Sequence, residues 1–286
     1  MRAWFEQRSD AELVALLANG EELGSGVGGG SVLVDVEGVP VFAKRVPLTR
    51  RELERPFSTE NLFELPVVCQ YGIGSPGFSA WRELAANQIV TEAVLAGEAS
   101  GFPLLHHFRV LPGRAPVAEL LADVDQAVAR LGGSHQIRTR FTELAAAGHS
   151  LVLFFDHIPL AMTDWLEEDP AGRAAEVERQ LAEIVAFLRS RELLHLDVHL
   201  GNMRTDGTQA YLVDFGLVTS PRFDLSDAER EFARQHVDHD EELAAMYLWH
   251  FLAKRPHADV DVLARLAPVA ERTTAFYDRL LGRSGQ

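Results

Sequence analysis

Two short stretches constrain this chain more than any others: His195-Leu196-Asp197-Val198-His199-Leu200-Gly201-Asn202, and then Asp214-Phe215-Gly216. Between them Asp206-Gly207 reads as a tight turn and Tyr211-Leu212-Val213 as a short apolar strand. The strand delivers Asp214 back towards the loop that holds Asp197 and Asn202. Asp197 is a side chain able to accept a proton. Asn202 and Asp214 offer the oxygen ligands that a hard divalent cation prefers. A tripeptide such as Asp-Phe-Gly recurs by chance, so the inference rests on both halves occurring in order and separated by one hairpin.

Upstream, Gly24-Ser25-Gly26-Val27-Gly28-Gly29-Gly30 contains a G-x-G-x-x-G pattern, which alone says little. Its context says more. Ser31 to Val36 alternates apolar and polar residues, Glu37-Gly38 is a turn signal, and Val41-Phe42-Ala43-Lys44 reads as the partner strand. A dinucleotide-binding fold needs a helix directly after its glycines, whereas these feed a hairpin. Lys44 stands at the expected end of the second strand. Further on, Trp81-Arg82-Glu83-Leu84-Ala85-Ala86-Asn87 runs through Val90 to Val94-Leu95 with helical apolar spacing, with Ser79 placed as N-cap. Glu83 lies in its first turns, as the candidate carboxylate partner for Lys44. Glu92 competes for that role.

Together these features, from about residue 20 to 255, resemble the protein-kinase-like phosphotransferases: an H-x-D-x-x-x-x-N loop, a D-F-G loop, a glycine-rich hairpin, a strand lysine and a helix glutamate. The resemblance implies an α+β, two-lobed fold, with a small, mostly antiparallel β lobe carrying one helix and a larger, mainly helical lobe. It places the first lobe in residues 1–157 and the second in 158–286. It implies ATP and Mg²⁺ as cofactors, with Gly24, Gly26, Gly28 and Gly29 over the phosphates and Lys44, steadied by Glu83, on the α- and β-phosphates. Asn202 and Asp214 would hold the metal, and Asp197 would accept the proton of an attacking hydroxyl. Leu151 to Phe155 is the strand before a hinge at Asp156-His157-Ile158-Pro159, whose backbone, at Asp156 and Ile158, would meet the adenine.

The chain departs from the Ser/Thr protein-kinase pattern in ways that bear on the acceptor. Leu196 stands where many protein kinases carry the arginine that receives a phosphorylated activation loop. His199 replaces the usual lysine, and H-x-D-x-H-x-x-N is similar to the loop of aminoglycoside and choline phosphotransferases. No A-P-E element follows Gly216, and Phe42 replaces the small alanine of V-A-I-K. These differences favour a small-molecule hydroxyl acceptor. A protein substrate, phosphorylated with an atypical activation segment, and a catalytically weak binding module remain the alternatives. His199 either touches the γ-phosphate or acceptor, or fixes the loop by hydrogen bonds. His195 reads as packing beneath the metal loop, and Asp238 or Asp240 as a buttress from a following helix.

The length of the chain fits one two-lobed catalytic unit or two small domains. Its 286 residues, 47% hydrophobic, suffice for a sizeable core, and a net charge of −15 disfavours nucleic acid or anionic membrane surfaces as partners. A single cysteine, Cys69, permits no intramolecular disulfide, and no apolar run approaches the ~20 residues that span a bilayer. A cytoplasmic protein is the expectation. Ser9-Asp10-Ala11-Glu12 is a capping box opening a helix with Leu13, Leu16 and Leu17 on one face. Residues 47–78, rich in proline and glycine, read as an irregular insertion able to overhang the nucleotide or acceptor, and 116–150 as a helical insertion. Between these stretches Phe102 to Leu111 reads as a strand, and within the second Val117 to Leu131 reads as a helix. The histidines at 106–107 and at 236 and 239 show no three-ligand zinc pattern.

Overall fold

The alternation from Ser31 to Val36 becomes a strand in which Val32, Val34 and Val36 are buried and Asp35 is exposed, in a computed structural model that describes residues 1–26, 29–72, 74–113 and 123–282. Strand β1 (Glu21–Gly26) pairs with β2 (Gly29–Val36), and β2 with β3 (Val39–Leu48). The turn between β2 and β3 puts both Glu37 and Gly38 at positive φ, the backbone that a two-residue hairpin requires. With β4 (Leu105–Pro112) and β5 (His149–Asp156) they form an antiparallel sheet of order β1-β2-β3-β5-β4.

Both faces of this sheet are covered, which explains why Leu151 to Phe155 is apolar throughout rather than alternating. On one face Val34, Ala43 and Phe154 meet Phe5 of helix α1 (Arg2–Glu6) and Leu13 and Leu17 of α2 (Asp10–Ala18). The capping box of α2 forms as read: Ser9 accepts from the Glu12 amide and Glu12 accepts from the Ser9 amide at 2.8 Å. The other face packs Leu48, Leu151, Leu153 and Phe155 on Trp81 and Leu84.

Residues 47–78 are largely irregular, as their prolines suggest, but two short helical pieces and the end of β3 lie among them. Pro47 and Leu48 still pair with β5, so Lys44 lies inside β3 rather than at its end. Thr49 then caps helix α3 (Arg50–Glu54) through a second capping box, with Glu52 as the returning carboxylate. A 3₁₀ turn follows at Val67–Tyr71, and Ser79 caps α4 (Ala80–Leu95), the helix read around Glu83. The helix read over Val117 to Leu131 is observed as α5 (Val124–Arg130), residues 114–122 lying outside those described. Strand β4 begins at Leu105 rather than Phe102; Phe102 is instead a buried core residue of the helical part, packed near Phe187 and Phe215.

The two insertions fold against each other. Helix α6 (His135–Ala145) brings Ile137 and Phe141, fully buried, onto Phe63, Leu65, Cys69 and Phe78. Emptying the Phe141 site costs about 3–5 kcal/mol by the usual cavity rule. Arg140 of α6 clasps Glu52 of α3 bidentately, at 2.8 and 3.0 Å, inside this core.

After β5, a short strand β6 (Leu160–Ala161) leads to α7 (Met162–Glu168) and the long α8 (Pro170–Ser190). The predicted hairpin forms as β7 (Met203–Thr205) and β8 (Ala210–Leu212), which join β6 in a second sheet of order β6-β7-β8. Helices α9 (Asp227–Gln235), α10 (His239–Leu252) and α11 (Val260–Leu280) complete the chain, α10 and α11 lying side by side. Met162, Leu166, Ile184, Leu188, Phe215 and Leu248 belong to the core they share with α7, α8 and the hairpin. The protein is thus α+β, and among the described residues no helix is long and apolar enough to cross a membrane.

Candidate functional site

Strand alternation aims Lys44 and Phe42 away from the face covered by α1 and α2, to which Val41 and Ala43 turn. Lys44 thereby reaches both the helix and the hairpin. Its Nζ donates to Glu83 Oε1 at 2.6 Å and to Asp214 Oδ1 at 2.8 Å. Glu92, the competitor, is exposed on α4. Burial disfavours the Lys44 charge, yet Asp214 and Glu83 outweigh it and hold the ammonium above its ordinary pKa. Burial, with Asp214 adding to it, pushes the Glu83 carboxyl up against the opposing pull of Lys44. The surrounding protein opposes the Asp214 charge, although 43% of its side chain stays exposed, and Lys44 and the Gly216 amide bring its carboxyl below the usual range.

The 195–202 loop is held from beneath by one carboxylate. Asp240 of α10 accepts from the His195 amide through Oδ2 and from the Leu196 amide through Oδ1, each at 2.7 Å. Of the two buttresses read from sequence, Asp240 is the one, while Asp238 pairs with Arg189. His195 is fully buried, with Nε2 3.1 Å from the Val213 carbonyl and its ring near Phe215, so it packs under the hairpin as read. Leu196 and Asp214 both adopt positive φ, an uncommon and costly backbone for non-glycine residues that clusters at functional sites.

Asp197, His199 and Asn202 interlock above that support. Asn202 Nδ2 donates to the Asp197 carbonyl at 3.0 Å and to Asp197 Oδ2 at 2.9 Å. With its nitrogen so engaged, the Asn202 Oδ1 is the atom left to meet a cation. His199 Nδ1 accepts from the Asn202 amide at 3.2 Å, which puts its proton on Nε2, 3.5 Å from Asp197 Oδ1. Burial disfavours the imidazolium, but Asp197 and then Asp214 raise its pKa above the ordinary value. His199 therefore does at least the loop-fixing half of what the sequence left open. An Asn202 amide oxygen and the Asp214 carboxylate fit a hard cation such as Mg²⁺, which completes its shell with waters and phosphate oxygens. Among the described residues no group of His, Cys, Asp and Glu is arranged as a zinc-type centre. His106 instead pairs with Asp156, and His236 and His239 surround Tyr71.

Two cavities meet at this point. The first, about 450 Å³, is bordered by Gly24, Phe42, Lys44, Phe155, Ile158 and Asp214 among others. Gly29 also borders it, at φ 117°, and a Cβ there would stand 1.9 Å from the Arg45 carbonyl oxygen. Gly26 pairs with Gly29 across the hairpin, and Gly28 lies outside the described residues. Asp156 and Ile158 both line this space, but the Asp156 carboxylate is spent on His106 and the Leu104 amide, and the Ile158 carbonyl accepts from Arg204 Nε at 3.1 Å. Arg204 is a site residue that sequence reading passes over. Phe42 faces Phe155, ring centroids 6.4 Å apart, giving this cavity an aromatic wall.

The second cavity, about 390 Å³, is lined by Asp197, His199 and Tyr247, with Gly72, Ser75 and Gly77 among its other walls. Arg140 and Leu144 of α6 also border it, so both insertions wall the side that holds Asp197. Glu83 and Asp214 line both cavities. Gly77, at φ 66°, leaves so little room that a Cβ would lie 2.9 Å from the Gly216 carbonyl oxygen. Tyr247, on α10, carries no sequence signal beyond helical spacing. No protein-family model matches the chain, and no curated protein was found similar to it.

Proposed function

We propose that this protein is a protein-kinase-like phosphotransferase that moves the γ-phosphoryl group of ATP to a hydroxyl of a small molecule. In this reading the five-stranded sheet with α4 is the smaller lobe and the helical part with the β6-β7-β8 sheet the larger, facing each other across the first cavity. The observation that carries the reading is the Lys44–Glu83–Asp214 cluster standing where the two cavities meet. One cavity takes the nucleotide and the other, with Asp197 in it, the acceptor.

Lys44, held by Glu83, neutralises the α- and β-phosphates in a partly dehydrated setting where charge is weakly screened. Mg²⁺ bound by Asn202 and Asp214 would supply the further positive charge that a phosphoryl group needs while it transfers. Asp197 orients the acceptor hydroxyl and takes its proton as the new O–P bond forms and the bond to the ADP leaving oxygen breaks. His199 Nε2–H and Asn202 Nδ2–H hold Asp197 in place during this step. The departures at Leu196 and His199 and the missing A-P-E element favour a small-molecule acceptor over a protein segment. A charge of −15 agrees with a partner that is not a polyanion, and a cytoplasmic location is the natural setting for an ATP-consuming enzyme with one free cysteine.

The test follows labelled γ-phosphate of ATP, with Mg²⁺, in a desalted extract of the source cells remixed with its metabolite fraction. Asp197→Asn protein is the background. Label in the small-molecule fraction above that background supports the reading. Label confined to protein refutes the small-molecule acceptor, and no excess over the variant refutes the catalytic role of Asp197.

A further inference from the structure

Glu83 acts only if its helix stays where Lys44 can reach it, and the first turns of α4 are gripped by buried charge. Ala80 donates its amide to Glu52 Oε1 at 3.0 Å, and the Trp81 indole donates to the Glu52 carbonyl at 2.9 Å. Arg82, next to Glu83, is among the largest fully buried side chains of the protein. Its Nε donates to the Thr59 carbonyl at 2.6 Å, and its Nη1 lies 2.8 Å from Glu229 Oε1 in an ion pair with no exposed partner. Phe78 and Phe223 place their rings 5.1 and 5.8 Å from its guanidinium carbon. Glu229 belongs to α9, beyond Asp214, and its second oxygen returns to the Ser226 amide and hydroxyl at 3.0 and 2.8 Å.

We infer that Arg82 and Glu229 are positioning residues, a buried ionic clamp that keeps α4 engaged so that Glu83 meets Lys44 without any modification of the segment after Asp214. This rests on the phosphotransferase reading for its functional consequence, though not for its geometry. The pair lies away from both cavities, so it touches neither nucleotide nor acceptor. Surface ion pairs hold elements loosely because water competes for each charge; a pair sealed from water has no such alternative, and an unpaired charge left behind is costly. The clamp also stands in for the missing arginine at Leu196. A chain without a receiver for a phosphorylated loop instead has a permanent carboxylate, Glu229, facing a permanent cation on the helix that needs holding.

The clamp is tested with Glu229→Gln, which keeps a side chain able to close the α9 capping box, and with the double variant Arg82→Met/Glu229→Gln, which removes both charges. The readouts are melting temperature, Mg²⁺-ATP affinity, and amide exchange along α4. Glu229→Gln is expected to lose stability because it strands the Arg82 charge, and the double variant to regain most of it. In the double variant at near wild-type melting temperature, exchange of the Leu84 to Asn87 amides should stay faster, and Mg²⁺-ATP affinity lower, by about tenfold each. A purely structural pair would recover both together with stability, and wild-type exchange in the double variant overturns the clamp. If that variant does not fold, Arg82→Lys serves, since lysine keeps the charge but cannot satisfy Thr59 and Glu229 together; unchanged α4 exchange there overturns the clamp as well. Wild-type protein that binds no Mg²⁺-ATP refutes the phosphotransferase reading alone, and the exchange measurement still decides the clamp.

Discussion

Glu83→Gln isolates the charge that anchors Lys44. Glutamine fills the same volume and still accepts one hydrogen bond, so the change removes a negative charge 2.6 Å from Nζ and little else. The Lys44 and Glu83 side chains are 12% and 3% exposed, so solvent screens their attraction weakly. A charge-assisted hydrogen bond in such surroundings contributes about 1.5–3 kcal/mol. Asp214 still holds the ammonium at 2.8 Å, which argues for the lower end of that range. In the proposed reading, however, Asp214 would also hold Mg²⁺, which would leave Glu83 as the main anchor keeping Lys44 over the phosphates. The loss therefore falls on the nucleotide complex, and Mg²⁺-ATP affinity should drop by about tenfold or more, each 1.4 kcal/mol being a factor of ten. Calorimetric titration with Mg²⁺ and a non-hydrolysable ATP analogue measures this. Stability should change less, because the buried Glu83 carboxylate carries a desolvation cost that glutamine does not. A variant binding the analogue within about twofold of a wild type that binds it well would refute the anchoring role.

Three further outcomes follow from the geometry. Glu52→Gln should lower unfolding free energy by about 3–5 kcal/mol, since it leaves Arg140 buried beside a neutral group; a loss below ~1 kcal/mol in urea titration would contradict the buried pairing. Gly77→Ala forces a positive φ on alanine and a Cβ against the Gly216 carbonyl, at about 1–3 kcal/mol; it should depress turnover with the acceptor while leaving Mg²⁺-ATP binding intact, and equal losses in both would place Gly77 outside the acceptor side. His239 is buried against Tyr277, and burial, helped by His236, lowers its pKa from 6.5 to about 4. Because the unfolded chain binds the proton first, its share of stability is full above pH 6.5 and is lost as pH falls towards 4, amounting to about 3 kcal/mol. The pH-stability slope over that interval should flatten in His239→Gln, and an unchanged slope would mean the histidine titrates normally.

What the sequence disclosed and what it hid differ in range. The 195–202 loop, the hairpin that returns Asp214, and the caps of α2 and α4 are local patterns, each specified by residues within a few positions of one another. Lys44 and Glu83 stand 39 residues apart, yet strand alternation and helical phase point each side chain inward independently, so their meeting could be read as well. The insertions could not be read that way. Glu52 and Arg140, 88 residues apart, look like ordinary surface charges until each is seen to bury the other. The same holds for Arg82 and Glu229, whose helices show nothing in sequence to say that the two charges face inward. Prolines at 47, 56, 66 and 76 favour a loop, and the Thr49–Glu52 capping box that starts a short helix among them is a weaker signal than that composition. The residues that do the chemistry are constrained by the reaction and so carry a short motif; those that hold them are constrained only by each other. A buried pair can be satisfied by any two partners whose backbones come together, which leaves no fixed spacing to recognise. In the proposed reading, the identity of the acceptor would accordingly depend on residues that line the Asp197 cavity, such as Gly72, Ser75, Gly77 and Tyr247, rather than on the motif.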